Sequence, residues 1–129
     1  MKKILLPLFL LFFWTCSSSP TKSEPAPQPP TVNNLSISTN EDTPTTFTMT
    51  GTDPEGAALT FSIVSQPQHG SVSTSGNAGT YTPNTNFNGS DTFSYSASDG
   101  SLVSSAGIVT VTITPVDDNP NTMDVSAVI

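Results

Sequence analysis

From Thr31 onward apolar and hydroxyl side chains alternate with a period of two, and that alternation limits the chain to strands. Phe47 and Met49 alternate with Thr46, Thr48 and Thr50, and Leu59, Phe61 and Ile63 with Thr60 and Ser62. Phe93, Tyr95 and Ala97 alternate with Ser94 and Ser96, and Val109, Val111 and Ile113 with Thr110 and Thr112. Successive side chains of a strand point to opposite faces, so each run has one buried face and one wet face. Shorter runs at Leu35–Ser38, Gly70–Thr74 and Gly79–Thr82, set between turn residues, bring the expectation to seven strands. No stretch carries a helical period. The pattern predicts an all-β, seven-stranded sandwich over residues 31–118, a span of roughly 90 residues that can bury one core without disulfides. Phe61 and Phe93 fall on the inward phase of strands expected in the middle of that sandwich.

The charge is one-sided. Ten Asp and Glu stand against three Lys, and beyond the first three residues the only basic side chain is Lys22. Salt bridges therefore cannot explain the acids. They are grouped as Asp53 with Glu55, Asp99, and Asp117 and Asp118 with Asn119. Each group adjoins Gly, Pro or Asn, in Asp53-Pro54-Glu55-Gly56, Ser98-Asp99-Gly100 and Asp117-Asp118-Asn119-Pro120. Turns of this composition let oxygen ligands converge on a hard cation, and calcium is the cation expected outside the cell. The alternative is that the acids keep a Ser- and Thr-rich surface soluble. If the strands run up and down between two poles, Asp53, Glu55 and Asp99 share one pole with Asn33 and Asn34. Glu41, Asp42, Asn88, Asp91, Asp117, Asp118 and Asn119 share the other.

The N-terminus sets the compartment. Lys2 and Lys3 precede an apolar run from Ile4 to Trp14, and Thr15-Cys16-Ser17 follows, in the charged, apolar, small-residue order of a secretory signal. That run is short of the roughly 20 apolar residues a bilayer span needs. Its end carries the only cysteine, Cys16, which has no partner for an intramolecular disulfide. Residues 1–15 resemble a bacterial lipoprotein signal, which implies lipid on Cys16 and an exported chain held at the bacterial cell envelope, at the outer membrane or cell surface. Phe13-Trp14-Thr15 is bulkier than the usual residues before such a cysteine. Residues 16–30, with five prolines among Ser, Thr, Gln and Glu, predict a disordered tether. A mature chain with one lysine is repelled by nucleic acid and by anionic headgroups, so the membrane partner is reached through lipid.

Catalytic constellations are missing from this pattern. His69 is the only histidine, and Pro67-Gln68-His69-Gly70 reads as a turn. No serine sits in a Gly-x-Ser-x-Gly elbow, and Asp53-Pro54-Glu55-Gly56 lacks EF-hand spacing. Tyr81, Phe87 and Tyr95 are the aromatics a carbohydrate-binding accessory domain would use. Tyr95 shares the inward phase of Phe93, and Phe87 is expected to plug the end of the sandwich. An exposed aromatic row on one sheet face would favour glycan binding, whereas plain Ser and Thr faces would favour a spacer or adhesin.

The same residues carry a family resemblance. Asn40-Glu41-Asp42-Thr43-Pro44, Thr52-Asp53-Pro54-Glu55-Gly56, Pro67-Gln68-His69-Gly70, Tyr81-Thr82-Pro83-Asn84, Phe87-Asn88-Gly89-Ser90-Asp91-Thr92-Phe93, Ser98-Asp99-Gly100 and Asp118-Asn119-Pro120 occur in the order of one bacterial cadherin-like, immunoglobulin-like repeat. The resemblance implies a Greek-key sandwich acting as a non-catalytic spacer or adhesion module, with a protein or glycan surface as partner. It also implies that Asp53 and Glu55 form an acid-x-acid calcium pair, that Asp99 and Glu41 are loop acids of calcium sites, and that Asp117, Asp118 and Asn119 belong to an interdomain linker. Two departures stand out. The segment Gln28–Asn34 before the domain has no acid, which leaves a calcium site there without its linker half. Residues 119–129 read as a linker and the first strand of a further repeat, so the chain is either part of a longer array or a one-domain lipoprotein whose tail pairs with its own sandwich or a neighbour's.

Overall fold

The computed structural model describes residues 23–118, so the signal segment, Cys16, the start of the tether and the segment from Asn119 lie outside the described residues. Nine strands occur in order: β1 (Thr31–Val32), β2 (Leu35–Asn40), β3 (Thr45–Thr48), β4 (Gly51–Thr52), β5 (Thr60–Ser65), β6 (Gly70–Ser75), β7 (Ala78–Pro83), β8 (Gly89–Ser98) and β9 (Gly107–Thr114). The seven strands expected from the alternation are β2, β3 and β5 to β9. The remaining two are two-residue strands that pair antiparallel with each other, Thr31 opposite Thr52.

One sheet has the order β2-β9-β8-β5 and the other β3-β7-β6. The chain crosses between them after β2, after β3, after β5 and after β7, which makes the Greek key. Pairing is antiparallel except between β2 and β9, which run parallel from Leu35 opposite Val109 to Asn40 opposite Thr114. The first and last long strands therefore start at one pole, called upper here, and finish at the lower one. Pro30, which composition assigns to the tether, is fully buried, and residues 23–29 are exposed and without regular structure. The fold thus begins one residue earlier than the alternation indicates.

The inward phases meet in a single core. Tyr81, Tyr95, Phe93, Met49, Val109 and Val111 are fully buried. Phe93 lies between Phe47, with ring centroids 5.1 Å apart and tilted by 55°, and Tyr81, stacked at 6.2 Å. Gly79 faces Phe47 across the β3–β7 pair, and any Cβ there would be driven into the phenyl ring. The Tyr95 hydroxyl lies 2.6 Å from the Asn33 carbonyl and 3.0 Å from that of Thr50, which ties the entry segment to the connection between β3 and β4. A buried phenol needs such a partner. Outside the core the sheets present hydroxyls: Ser36, Ser38, Thr110 and Thr112 on one, Thr46, Thr48, Ser71 and Ser73 on the other.

Phe61 departs from expectation. It points inward, but β5 is the edge of its sheet and the side chain is half-buried, 6.2 Å from the Tyr95 ring. Alternation reports which face a residue takes and not where its strand lies in the sheet. Phe93→Ala is accordingly expected to cost about 3 to 5 kcal/mol and Phe61→Ala distinctly less, with Thr112→Ala under about 1 kcal/mol. Urea denaturation of the three variants checks the order, and equal costs for Phe93 and Thr112 would refute the strand phases.

Candidate functional site

The lower pole is built around a buried carboxylate. Glu41, 6% exposed at the end of β2, accepts the Val116 amide at 2.6 Å through Oε1 and the Asn88 side-chain amide at 3.4 Å through Oε2. Its own amide donates to the Thr114 carbonyl at 2.9 Å. Next to it Asp42 has φ of 59° and accepts the Asn86 amide at 3.1 Å, and Asn86 has φ of 57°. Left-handed backbone is tolerated best by Asn, Asp and Gly, which is why these residue types meet here. The first loop, the β7–β8 loop and the exit segment thus come together, as an up-and-down strand order requires. Glu41, expected as a metal ligand, already has a protein donor on each oxygen. Asp117 and Asp118 come after Val116 on the exposed exit, and Asn119 lies outside the described residues.

At the upper pole the acids cap their own turns. Asp53 Oδ1 accepts the amides of Glu55 at 3.0 Å and Ala57 at 2.8 Å, and the turn closes with Gly56 donating to the Asp53 carbonyl at 3.1 Å. Gly56 has φ of 78°, a conformation that glycine adopts without steric cost. Asp53 Oδ2 is buried and has no hydrogen-bond partner among the described residues. Glu55 is exposed and accepts the Gln28 amide at 3.4 Å. Asp99 Oδ1 accepts the amides of Ser101 at 2.6 Å and Leu102 at 2.7 Å. Those bonds, Leu102 first, hold its carboxyl below the usual range.

For calcium the fit is partial. Asp53 Oδ2 is a buried oxygen with no donor among the described residues, but no three acids, histidines or cysteines gather at one point there or elsewhere among those residues. The structure brings Glu41 to Asn88 and the exit, and leaves Asp53 and Asp99 each in its own turn.

Asp91 is the most deeply buried carboxylate among the described residues, although its sequence context suggests no role beyond its pole. It is 4% exposed and accepts from four donors: Gln68 N at 3.1 Å, Thr92 N at 2.9 Å, His69 N at 2.9 Å and the Tyr81 hydroxyl at 2.9 Å. Its phase was the available signal, because Asp91 stands two residues before Phe93 on the inward face. Burial alone would push its carboxyl up. The bonds from Tyr81, His69, Gln68 and Thr92 outweigh burial and hold it below the ordinary value. Burial and the neighbouring carboxylate push the Tyr81 phenol up. A carboxylate so committed fastens the β5–β6 loop to the core and has no oxygen left for a substrate proton. Beside it His69 stacks on Phe87 at 4.1 Å, with the rings within 2° of parallel.

A carboxyl whose folded-state pKa is depressed stabilises fully above its unfolded pKa and loses that contribution as pH falls through the folded value. Melting temperature is therefore expected to hold above about pH 5 and to fall progressively below the ordinary carboxyl value of 3.8. Asp91→Asn should cost about 1 to 3 kcal/mol at neutral pH, because an amide cannot accept all four donors. It should also flatten the acid limb of the curve, leaving the part due to Asp99. Thermal melts from neutral to acid pH check this, and parallel curves for the two proteins would refute it.

Comparison with known proteins places this architecture. The structure resembles part of an endo-fucoidan hydrolase of glycoside hydrolase family 107 (TM-score 0.53, 20% identity), covering 78% of this chain and 16% of that one. It also resembles part of an α-galactosidase-type protein from Bacteroides fragilis (TM-score 0.50, 16% identity), covering 65% of this chain and 17% of that one. Extracellular cadherin domains 3–6 of protocadherin gamma B2 match more loosely, with TM-score 0.47 and 23% identity over 66% of this chain and 22% of that one. The chain spans about a sixth of the two hydrolase-type structures, and at such identities the likeness is one of fold alone. No curated protein sequence matches the chain. The bacterial Ig domain model matches residues 27–112, most of the chain, and so this protein belongs to the bacterial Ig domain family.

Proposed function

We propose that this chain is a non-catalytic cell-surface module, a spacer or adhesion domain carried on a lipid at Cys16 and reached through the Pro-rich tether. The observation that carries this reading is the placement of entry and exit at opposite poles by the parallel β2–β9 pair. A domain built that way holds its N-terminal and C-terminal neighbours apart, which suits a lipid on one side and a further repeat after Asp117-Asp118-Asn119-Pro120 on the other. The hydroxyl faces support the same reading over a carbohydrate-binding accessory domain. Tyr81 and Tyr95 are in the core, Phe87 is half-buried under His69, and among the described residues the exposed large apolar side chains are Val64, Val103, Ile108 and Val116, none aromatic. Adhesion then falls to a protein or glycan surface met by uncharged hydroxyls rather than by aromatic stacking.

Cys16→Ala tests the anchor. Cells expressing it should lose fatty-acid label on the chain and accumulate the uncleaved form, while the natural chain on intact cells is open to added protease. Unchanged labelling of the variant would overturn the lipid anchor, and full protection from protease would overturn the surface reading.

Calcium belongs to this proposal as a weak ligand of the upper pole. Asp53 Oδ2 and Glu55 would hold it, with Asp99 at the same pole, and the ion would supply the positive charge that the described residues lack. With so few fixed carboxylates the affinity falls in the weak extracellular range of about 10⁻⁴ to 10⁻³ M. At roughly 2 mM calcium that amounts to about 1 kcal/mol, a shift of several degrees in melting temperature. The shift should reverse with chelator and vanish in Asp53→Asn. A melt indifferent to calcium would overturn the metal assignment and leave the acids as turn caps.

A further inference from the structure

Of the four sheet edges, β2, β5, β3 and β6, three are guarded. β2 runs into Glu41 and the exposed Asp42. β3 starts behind Asp42 and Pro44, and its continuation β4 is covered by β1. β5 carries a register shift between Ile63 and Ser65 that leaves Val64 out of the ladder. Charges, prolines and bulges of this kind keep an open edge from pairing with another chain. β6 has none of them. Gly70-Ser71-Val72-Ser73-Thr74-Ser75 pairs with β7 without interruption, and among the described residues no other strand lies beside it. It also lies in the longest uncharged stretch of the sequence, since residues 56–90 contain no Asp, Glu, Lys or Arg in a chain of formal net charge −7. Like-charged copies repel, and along this edge two of them approach with the least penalty.

The ladder shows which groups β6 offers. The Asn84 amide donates to the His69 carbonyl at 2.8 Å, one step before the Gly70–Pro83 pair. Bonded and non-bonded pairs alternate along an antiparallel ladder, so Ser71, Ser73 and Ser75 face β7, and the amides and carbonyls of Gly70, Val72 and Thr74 point to the open side. Pro83, with no amide to give, accordingly opposes Gly70. Beside the upper half of that open side, half-buried Leu59 and Phe61 floor a cleft bordered by Thr74 and Asn77.

We propose that β6 is a self-pairing edge, to which a second copy of this chain adds its own β6 antiparallel across a two-fold axis at Val72. In that register Val72 opposes the partner's Val72, Gly70 the partner's Thr74 and Ser71 the partner's Ser73. Every free amide and carbonyl of the strand is then bonded, and inward side chains stay on the inward face. The partner's Val72 is brought over the cleft floored by Leu59 and Phe61. Antiparallel pairing also sets the entry pole of one copy beside the exit pole of the other. Copies anchored through their N-termini on facing surfaces meet in that arrangement, whereas neighbours on one surface would need one domain inverted. This use in adhesion rests on the surface reading, while the pairing itself is a property of the edge. So short a ladder buries less than the roughly 1,200 Å² of stable interfaces, so a single pair is weak and many copies on each surface add up.

Sedimentation of the whole purified chain tests the pairing with no membrane present, and a reversible dimer is expected as concentration rises into the high micromolar range. Thr74→Pro removes a free-side amide from an exposed residue and leaves the β6–β7 bonds in place, so it should weaken dimerisation by about tenfold or more with the melting temperature little changed. Ser73→Pro removes an amide that β7 uses and should lower the melting temperature as well. Phosphatidylcholine vesicles carrying the natural chain should cluster, and vesicles carrying Thr74→Pro should stay out of those clusters. A chain monomeric throughout, a dimer that Thr74→Pro leaves intact, or variant vesicles that join the clusters would overturn the proposal. Vesicles that stay apart although the chain dimerises in solution would overturn the facing-surface arrangement alone. Protease access on intact cells decides the surface reading separately.

Discussion

The parallel ladder joining β2 to β9 makes the first and last long strands of the sandwich neighbours that run the same way. Strands joined by a hairpin return the chain to the pole it came from, whereas these two deliver it to the far one. That single contact underlies the sorting of loops between the poles and the meeting of Glu41 with the exit at Val116. The ladder also decides which edges stay open. β9 is covered on both sides by β2 and β8, while β2 and β5 remain the edges of that sheet and β3 and β6 those of the other.

A second constraint is the lack of cations. Residues 23–118 contain no Lys or Arg, so within that span no such side chain stands against a carboxylate. The chain answers with backbone amides. Asp91, Glu41, Asp42, Asp53 and Asp99 each accept at least one main-chain N–H, most of them in loops where no strand ladder satisfies that donor. Acids here serve as turn and loop fasteners as much as surface charge. Among the described residues Asp53 Oδ2 is the exception, a buried oxygen without a donor.

The sandwich was legible because alternation fixes the side-chain phase, and Phe93, Tyr95, Val109 and Val111 lie where that phase puts them. The family motif of turns made the strand order guessable, and with it the poles. Edge position was not legible, so Phe61 looked as central as Phe93. Partners across the sheet were not legible either. Nothing local to Asp91 shows that Tyr81, Gln68 and His69 converge on it, although an acid on an inward phase must be satisfied somehow. The partners of Glu41 were hidden in the same way, since nothing local shows that the Val116 amide and the Asn88 side chain reach it.

Residue-resolved hydrogen exchange tests the ladder most directly. An edge strand held by six parallel pairs and side-chain bonds at both ends should open only with the whole domain, so the β2 and β9 amides that lie in the ladder should be protected to the same degree as those joining β8 to β9. Exchange of the β2 ladder at rates typical of a fraying edge, with β8 and β9 still protected against each other, would contradict the account.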